Sequence, residues 1–170
     1  MMQQVDEAHN EGKYLFMWDK TDQIDTFFKY KGFLFDFYFQ HMRVENEQCT
    51  VDDAIEALRS NFIKAGRQGQ HLLINLKDKA PDFINVYTKP EIFATEIAFN
   101  RNEWRKEEVH KAVLKQDENY SASADDTSGI YYLRPEHTMQ IRTTVTNADA
   151  VRDVISKIPN FDQFKCIIIE

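Results

Sequence analysis

The chain has 170 residues, 42% of them hydrophobic and 29% charged, which predicts one folded domain with a sizeable core. Its 28 acidic and 21 basic side chains give a net charge of −7, which argues against a nucleic-acid partner. The apolar stretches are too short for a membrane span or a signal-peptide core, so we expect a cytoplasmic protein without a membrane partner.

The first half of the chain predicts a tail followed by alternating strands and helices. Residues 1–13 lack periodicity and are expected to form a mobile tail, which leaves 14–170 as a single α/β domain. Strand and helix signals then alternate as follows: a buried strand Tyr14–Trp18 closed by Asp19, a helix Thr21–Lys31, a strand with alternating aromatics over Phe33–Phe39, a helix Thr50–Ala65 with a Thr50/Asp53 capping pair and with Gly66 and Gly69 as its stop, and a strand His71–Leu76. The aromatic stretch would also suit a buried helix.

The second half contains an insertion before the pattern resumes. Residues 77–96 are irregular, and Asn100 begins a charged helix that should reach Lys115 on the surface. The remaining predictions are a loop over Asp117–Gly129, strands over Ile130–Leu133 and Met139–Val145, a helix capped by Asn147, and a final strand Phe164–Ile169. This order of elements predicts a doubly wound, mainly parallel α/β sheet with a helical surface insertion.

A phosphate-binding loop is missing from this layout. Such a loop needs glycines, a Lys and a Ser or Thr after the first strand, but residues 19–24 (DKTDQI) contain acidic residues and no glycine. Nucleotide hydrolysis is therefore not expected. With no other catalytic motif in the chain, we expect neither enzymatic activity nor a cofactor.

Polar residues at the predicted strand ends are the best candidates for a small-molecule site. In open α/β sheets, ligands bind outside the carboxyl ends of the strands. The residues that could converge there are Asp19, Lys20, Asn75, Asp78, Thr143 and Thr144. Asn75 or Asp78 could hold a metal ion, but capping of the exposed backbone at a strand end is the favoured interpretation.

The cysteines and histidines give no sign of a metal site or thiol catalyst. Cys49 and Cys166 are expected to be reduced structural thiols, and the five histidines are dispersed without metal-ligand spacing. Partner binding has two candidate features: Trp104 as an anchor and the Phe33–Phe39 strand as a sheet edge. The alternative, which we favour, is that Trp104 packs against its own helix and the phenylalanines are buried in the core.

Three stretches resemble the AAA modules of the dynein heavy-chain motor, in particular the fifth module, which has lost its phosphate loop. They are LFMWDKTDQIDTFFK at 15–29, DDAIEALRSNFIKAGRQGQHLLINL at 52–76 and MQIRTTVTN at 139–147. Asp19 and Gln23 resemble the end of the module's buried strand and the polar turn after it. The resemblance implies a degenerate P-loop-NTPase-like fold and a ciliary or cytoskeletal setting.

The leading hypothesis is a non-catalytic protein-interaction or structural module with a protein partner. The competing hypothesis is a small-molecule or nucleotide-binding protein, or an enzyme, with its site at the strand ends. Thermal stabilisation by a nucleotide would discriminate between them.

Overall fold

The structure, a computed structural model, describes residues 2–21, 32–119 and 130–170. Its centre is a five-stranded sheet in which every pair of neighbours is parallel, in the order β2-β3-β4-β1-β5. The strands are β1 (Tyr14–Asp19), β2 (Phe33–Phe35), β3 (His71–Lys77), β4 (Thr138–Thr143) and β5 (Phe164–Ile169). The predicted α/β class is confirmed, and the all-parallel sheet is compatible with a doubly wound fold.

The helices vary in length from one turn to five. They are α1 (Met2–Asn10), α2 (Phe37–Glu45), α3 (Val51–Gln68), α4 (Thr95–Ala98), α5 (Arg101–Trp104), α6 (Glu107–Ala112) and α7 (Ala148–Ser156). Short 3-10 turns occur at Gln116–Glu118 and Phe161–Gln163. Among the described residues, no helix is both long and apolar enough to cross a membrane.

Alternation along the strands divides the apolar core between the two faces of the sheet. Tyr14 and Phe16 belong to the larger cluster, which includes the apolar stripe of α3, whereas Leu15 and Met17 pack in a smaller cluster with α1. Because successive side chains of a strand point to opposite faces, a central strand covered on both faces reads as a continuous apolar run. This explains why Tyr14–Trp18 was recognisable from the sequence.

The strand order creates a switch point between β1 and β4. These two strands are neighbours, but the chain leaves β1 toward the β2 edge and leaves β4 toward β5 at the opposite edge. In open α/β sheets, such a reversal opens a crevice at the carboxyl ends of the two strands. The fold therefore points to the ends of β1 and β4 as the place to examine for a site.

The longest predicted helix is confirmed, and of its two predicted stops Gly69 ends it, so that it extends beyond Ala65 to Gln68. Thr50 and Asp53 form the capping box, and Gly69 ends α3 in the left-handed conformation with φ 67°. Gly66 lies inside the helix rather than ending it. A Cβ atom at Gly66 would lie 2.5 Å from the hydroxyl oxygen of Tyr131 and 2.6 Å from a methyl carbon of Leu133, so a side chain there would force these two residues to shift.

The prediction of an unstructured tail over 1–13 is corrected by α1. This helix buries Val5 and Ala8, at 1% and 2% exposure, against Leu15, Met17 and other residues of the smaller cluster. Two small apolar side chains give too weak a periodicity for a sequence-based prediction. The helix is recognisable only through the sheet surface on which it packs.

The aromatic stretch 33–39 is divided between a strand and a helix, so the prediction of one strand is wrong beyond Phe35. Asp36 ends the alternation because its carboxylate accepts a hydrogen bond from the Phe39 backbone N–H and caps α2. Phe37 is fully buried, whereas Phe39 is 57% exposed. A local cap therefore overrides the period-two pattern.

The insertion differs from the predicted single helix over 100–115. Asn100 does accept the expected capping bond from Glu103 N, but the chain breaks at Arg105 and Lys106, and two short helices, α5 and α6, result. The predicted strand Ile130–Leu133 is an extended segment without strand pairing, although Tyr131 and Leu133 are buried.

Most other element predictions can also be compared with the structure. Strands β1, β3 and β5 match their predicted positions, β4 spans Thr138–Thr143, and Asn147 caps α7. The predicted helix Thr21–Lys31 lies almost wholly outside the described residues. So does most of the predicted loop Asp117–Gly129.

Candidate functional site at the carboxyl ends of the strands

The carboxyl ends of β1, β3 and β4 bring together three of the six residues predicted for a ligand site. Asp19 ends β1, Asn75 lies near the end of β3, and Thr143 ends β4. All three are at most 1% exposed. The switch point is therefore polar, as predicted, but it is buried.

A fully buried ion pair occupies the centre of this cluster. Arg142, in β4, donates from Nε and Nη2 to Oδ2 of Asp19, over 3.0 and 2.8 Å. Both side chains have no exposed surface. The second carboxylate oxygen of Asp19 accepts bonds from the backbone N–H and the hydroxyl of Thr21, at 2.9 and 2.7 Å. Each oxygen of the carboxylate thus has donors within the chain.

Asn75 extends the cluster toward β3. Its side-chain oxygen accepts from Nη1 of Arg142 at 3.2 Å, and from the backbone N–H of Lys77 at 3.4 Å. The amide therefore acts partly as a strand-end cap, which is the interpretation that the sequence favoured. It also orients the arginine.

The two threonines stabilise the backbone at the end of the β3–β4 pair. Thr143 donates from its hydroxyl to the Lys77 carbonyl at 2.9 Å, and the Thr144 N–H donates to the same carbonyl at 2.7 Å. Lys77 has a positive φ of 50° where the register shifts between Asn75 and Lys77. The threonines thus hold an irregular strand end together.

The other two predicted residues do not join the buried cluster. Lys20 forms an ion pair with Glu170 at 2.6 Å, and its ammonium lies 4.7 Å from the centre of the Trp18 ring. Asp78 is exposed. The sequence therefore predicted the correct end of the sheet, but it included two surface charges.

The charge state of the cluster follows from these contacts. Burial by itself would raise the pKa of the Asp19 carboxyl group, but the hydrogen bonds from Thr21 and the Arg142 guanidinium outweigh it and hold the pKa below its ordinary value. Asp19 is thus a carboxylate and Arg142 a cation at neutral pH. An ionised pair whose oxygens are already bonded is a poor proton acceptor and a poor metal ligand.

The residue that sequence reasoning missed is Arg142. Its signal was an arginine within the predicted strand Met139–Val145, since an arginine in a strand covered on both faces must find a buried carboxylate. Asp19, at the end of another buried strand, was the available partner. The chain order alone did not show that β1 and β4 are neighbours.

The opposite, amino ends of the same strands carry a second group of titratable side chains. His71 begins β3, His137 immediately precedes β4, and His9 of α1 lies 3.4 Å from a guanidinium nitrogen of Arg101. The charges of Arg101 and Arg105 lower the pKa of both His9 and His137, although burial is the larger cause. Histidines that are dispersed in the sequence therefore become neighbours in the fold.

Trp104, the predicted anchor for a partner, lies in the core. It is 1% exposed, and its ring centre lies 5.4 Å from that of Phe62 and 5.6 Å from that of Phe93. It also lines the floor of an open groove of about 300 Å³. Trp104 is therefore not an exposed anchor, and it contributes to the protein surface only at the floor of this groove.

No arrangement for metal or thiol chemistry occurs in the described parts of the chain. They contain no group of three or more His, Cys, Asp or Glu side chains that could hold a metal ion. Cys49 and Cys166 are free thiols, and burial raises the pKa of Cys166. A raised pKa disfavours the nucleophilic thiolate.

Comparison of the chain with protein-family models, with curated proteins and with solved structures finds no match in any of the three.

Proposed function

We propose that this chain is a non-catalytic protein-interaction or structural module. The observation that carries the proposal is the buried pair of Arg142 and Asp19. It fills the switch point at which an open α/β sheet ordinarily binds its ligand. Because the protein's own guanidinium satisfies the carboxylate there, a nucleotide would have to break a buried ion pair in order to bind.

Exposed apolar side chains support a binding role. Among the described residues, seven large apolar side chains are at least 43% exposed, and three of them, Ile84, Val86 and Ile97, lie within residues 84–97. Apolar side chains that cluster on a surface mark interaction sites more often than isolated ones do.

The proposed setting is a cytoskeletal or ciliary assembly. Its support is the resemblance of residues 15–29, 52–76 and 139–147 to the dynein AAA module that lacks a phosphate loop. A degenerate P-loop-NTPase-like domain of this kind would contribute shape and contacts to an assembly, without nucleotide turnover.

A thermal-shift series with ATP, ADP and GTP, each with and without Mg²⁺, tests the proposal. We expect no change in Tm, whereas a ligand at a hundred times its Kd would add about 2.7 kcal/mol to the free energy of unfolding. A concentration-dependent rise in Tm would contradict the proposal if Lys20→Ala, at the rim of the switch point, reduced it. Asp149→Asn, at a fully solvated surface position, serves as the matched control.

A further inference from the structure

An open apolar groove lies between residues 90–97 and helix α6. Its lining includes Pro90, Phe93, Ala94, Ile97, Trp104 and Val109, and its volume is about 300 Å³. Ile97 is 43% exposed at the edge of the groove, while Phe93 and Trp104 are fully buried beneath it. Pro90 and Ala94 also line a neighbouring cavity beside the exposed Ile84. We call this continuous surface the Pro90 groove.

Hydrogen bonds fix the backbone that forms one wall of the groove. Residues Lys89 and Phe93 close a tight turn through backbone bonds in both directions, at 2.7 and 3.1 Å. Thr95 donates from its hydroxyl to the Phe83 carbonyl, and its backbone N–H donates to the hydroxyl of Thr88 at 3.2 Å. A wall held in place before binding lowers the entropy that a partner must overcome.

Three exposed carboxylates lie along the groove and form no ion pair with a described residue. Glu108 lines the groove itself, Glu96 lines the neighbouring cavity, and Glu91 follows Pro90 in the chain. The nearby lysines are already engaged: Lys89 pairs with Asp52, Lys106 with Glu103, and Lys111 with Glu107. The margin of the groove therefore carries uncompensated negative charge.

The floor contains a hydrogen-bond donor without a partner. The indole N–H of Trp104 is buried and has no acceptor among the described residues. A buried donor left without an acceptor is destabilising, so the floor of the groove is one of the less well satisfied parts of the core.

We infer that the Pro90 groove docks a segment of a partner protein that presents one or two large apolar side chains flanked by lysine or arginine. This inference rests on the proposed function and specifies its partner class. The apolar side chains match the groove, and the basic residues match Glu91, Glu96 and Glu108. An acidic segment or an anionic membrane surface would be repelled by the same carboxylates.

Binding of designed peptides to the protein tests the inference. The probe is a synthetic amphipathic helix of about 18 residues with leucine on one face and lysine on the other, and its matched partner has glutamate in place of lysine. In a Trp18→Phe background, tryptophan emission reports on Trp104 at the groove floor. We expect the lysine peptide to change this emission and to bind at least about tenfold more tightly than the glutamate peptide.

Two protein variants locate the binding site. Ile97→Asp should weaken binding of the lysine peptide by about tenfold or more, because it places a charge at the edge of the apolar groove. Replacing Glu91, Glu96 and Glu108 together by Gln should weaken binding and reduce its dependence on salt. Ile168→Asp introduces the same change at an isoleucine of β5 that is 58% exposed, and it should leave the affinity unchanged.

Equal affinity of the lysine peptide for wild type and Ile97→Asp, with unchanged melting curves, would overturn the inference. Absence of binding to the wild-type protein would also overturn it. If nucleotides still gave no thermal shift in either case, the proposed function would stand and only the groove would be rejected. A nucleotide shift that depends on Lys20 would instead reject the proposed function.

Discussion

The buried titratable groups at the two ends of the central strands differ in their charge state. At the carboxyl end, Asp19 and Arg142 remain charged because each supplies the other's hydrogen bonds. At the amino end, burial is the largest cause that lowers the pKa of His71 and of His137, and for His137 the pKa falls to about 4. These imidazoles are neutral at pH 7. A group buried with a hydrogen-bonded opposite charge keeps its charge, whereas an imidazole buried without an ion-pair partner is neutral because burial disfavours its charged form.

The two ends also differ in how completely their buried polar groups are hydrogen-bonded, which affects whether a ligand could bind there. The carboxyl end is closed by strong internal bonds, although it lies where ligands bind in open α/β sheets. At the amino end, Nδ1 of His71, Nε of Arg101 and Nε2 of His137 are buried without a hydrogen-bond partner. Polar groups buried at the carboxyl end are thus hydrogen-bonded within the chain, whereas several of those buried around the amino end are not.

The largest expected effect is at the carboxyl end. Arg142→Met should lower the free energy of unfolding by about 3–5 kcal/mol, because it leaves a buried carboxylate without its cation. Urea unfolding followed by circular dichroism measures this change. Arg152→Met is the control, since its ion pair with Asp149 is exposed and should contribute at most about 1 kcal/mol.

The double variant Asp19→Asn/Arg142→Met sharpens this test. If the two side chains act as a pair, the double variant should lose less stability than the sum of the two single variants. If the losses in free energy of unfolding of the two single variants simply add up in the double variant, Asp19 and Arg142 do not act as a pair.

An intermediate effect is expected at the amino end and depends on pH. His137 has a folded-state pKa of about 4, below the ordinary value of 6.5, because burial disfavours its charged form. As the pH falls below about 6.5, the unfolded chain takes up a proton that the folded chain does not. The free energy of unfolding should therefore fall between pH 6.5 and pH 4, by up to about 3 kcal/mol from this group.

His137→Asn should flatten this pH dependence, since asparagine can still donate to the Gln70 carbonyl that accepts from Nδ1 of His137. Asp19 has a lowered pKa, so its contribution is present above its unfolded pKa near 3.8 and is lost only at lower pH. Unfolding measured from pH 7 to pH 3 separates the two windows. An unchanged slope in His137→Asn would assign the pH dependence to other groups.

The smallest effect is expected for Arg101. Burial and the charge of Arg105 lower its pKa, and it forms no ion pair with a described carboxylate. Arg101→Met should thus change the free energy of unfolding by less than about 1 kcal/mol, because no buried carboxylate loses its partner. A loss as large as that of Arg142→Met would remove the contrast between the two ends.

Local patterns made much of the fold predictable. Tyr14–Trp18, His71–Leu76 and Phe164–Ile169 are apolar runs of strand length, and each forms a strand. Thr50 and Asn147 cap helices as their side chains predict. These features depend on neighbouring residues alone, and so they can be read from the chain.

The errors had two causes: contacts between distant residues, and a local signal weaker than the one that competed with it. Helix α1 exists because Val5 and Ala8 have a sheet surface to cover, and the glycine at position 66 lies against Tyr131 inside α3 instead of ending the helix. The strand of aromatics ends at Phe35 because Asp36 caps a helix, a signal that was present in the sequence but weaker than the alternation.

The candidate site divides in the same way. The missing phosphate loop after β1, and the polar residues Asp19, Asn75 and Thr143 at or near strand ends, can be read from the sequence. That β1 lies beside β4, and that Arg142 therefore reaches Asp19 across 123 positions of chain, is visible only in the folded protein. Strand order is set by packing between distant segments, so the partner of a buried charge is fixed by the fold and not by its neighbours in the chain.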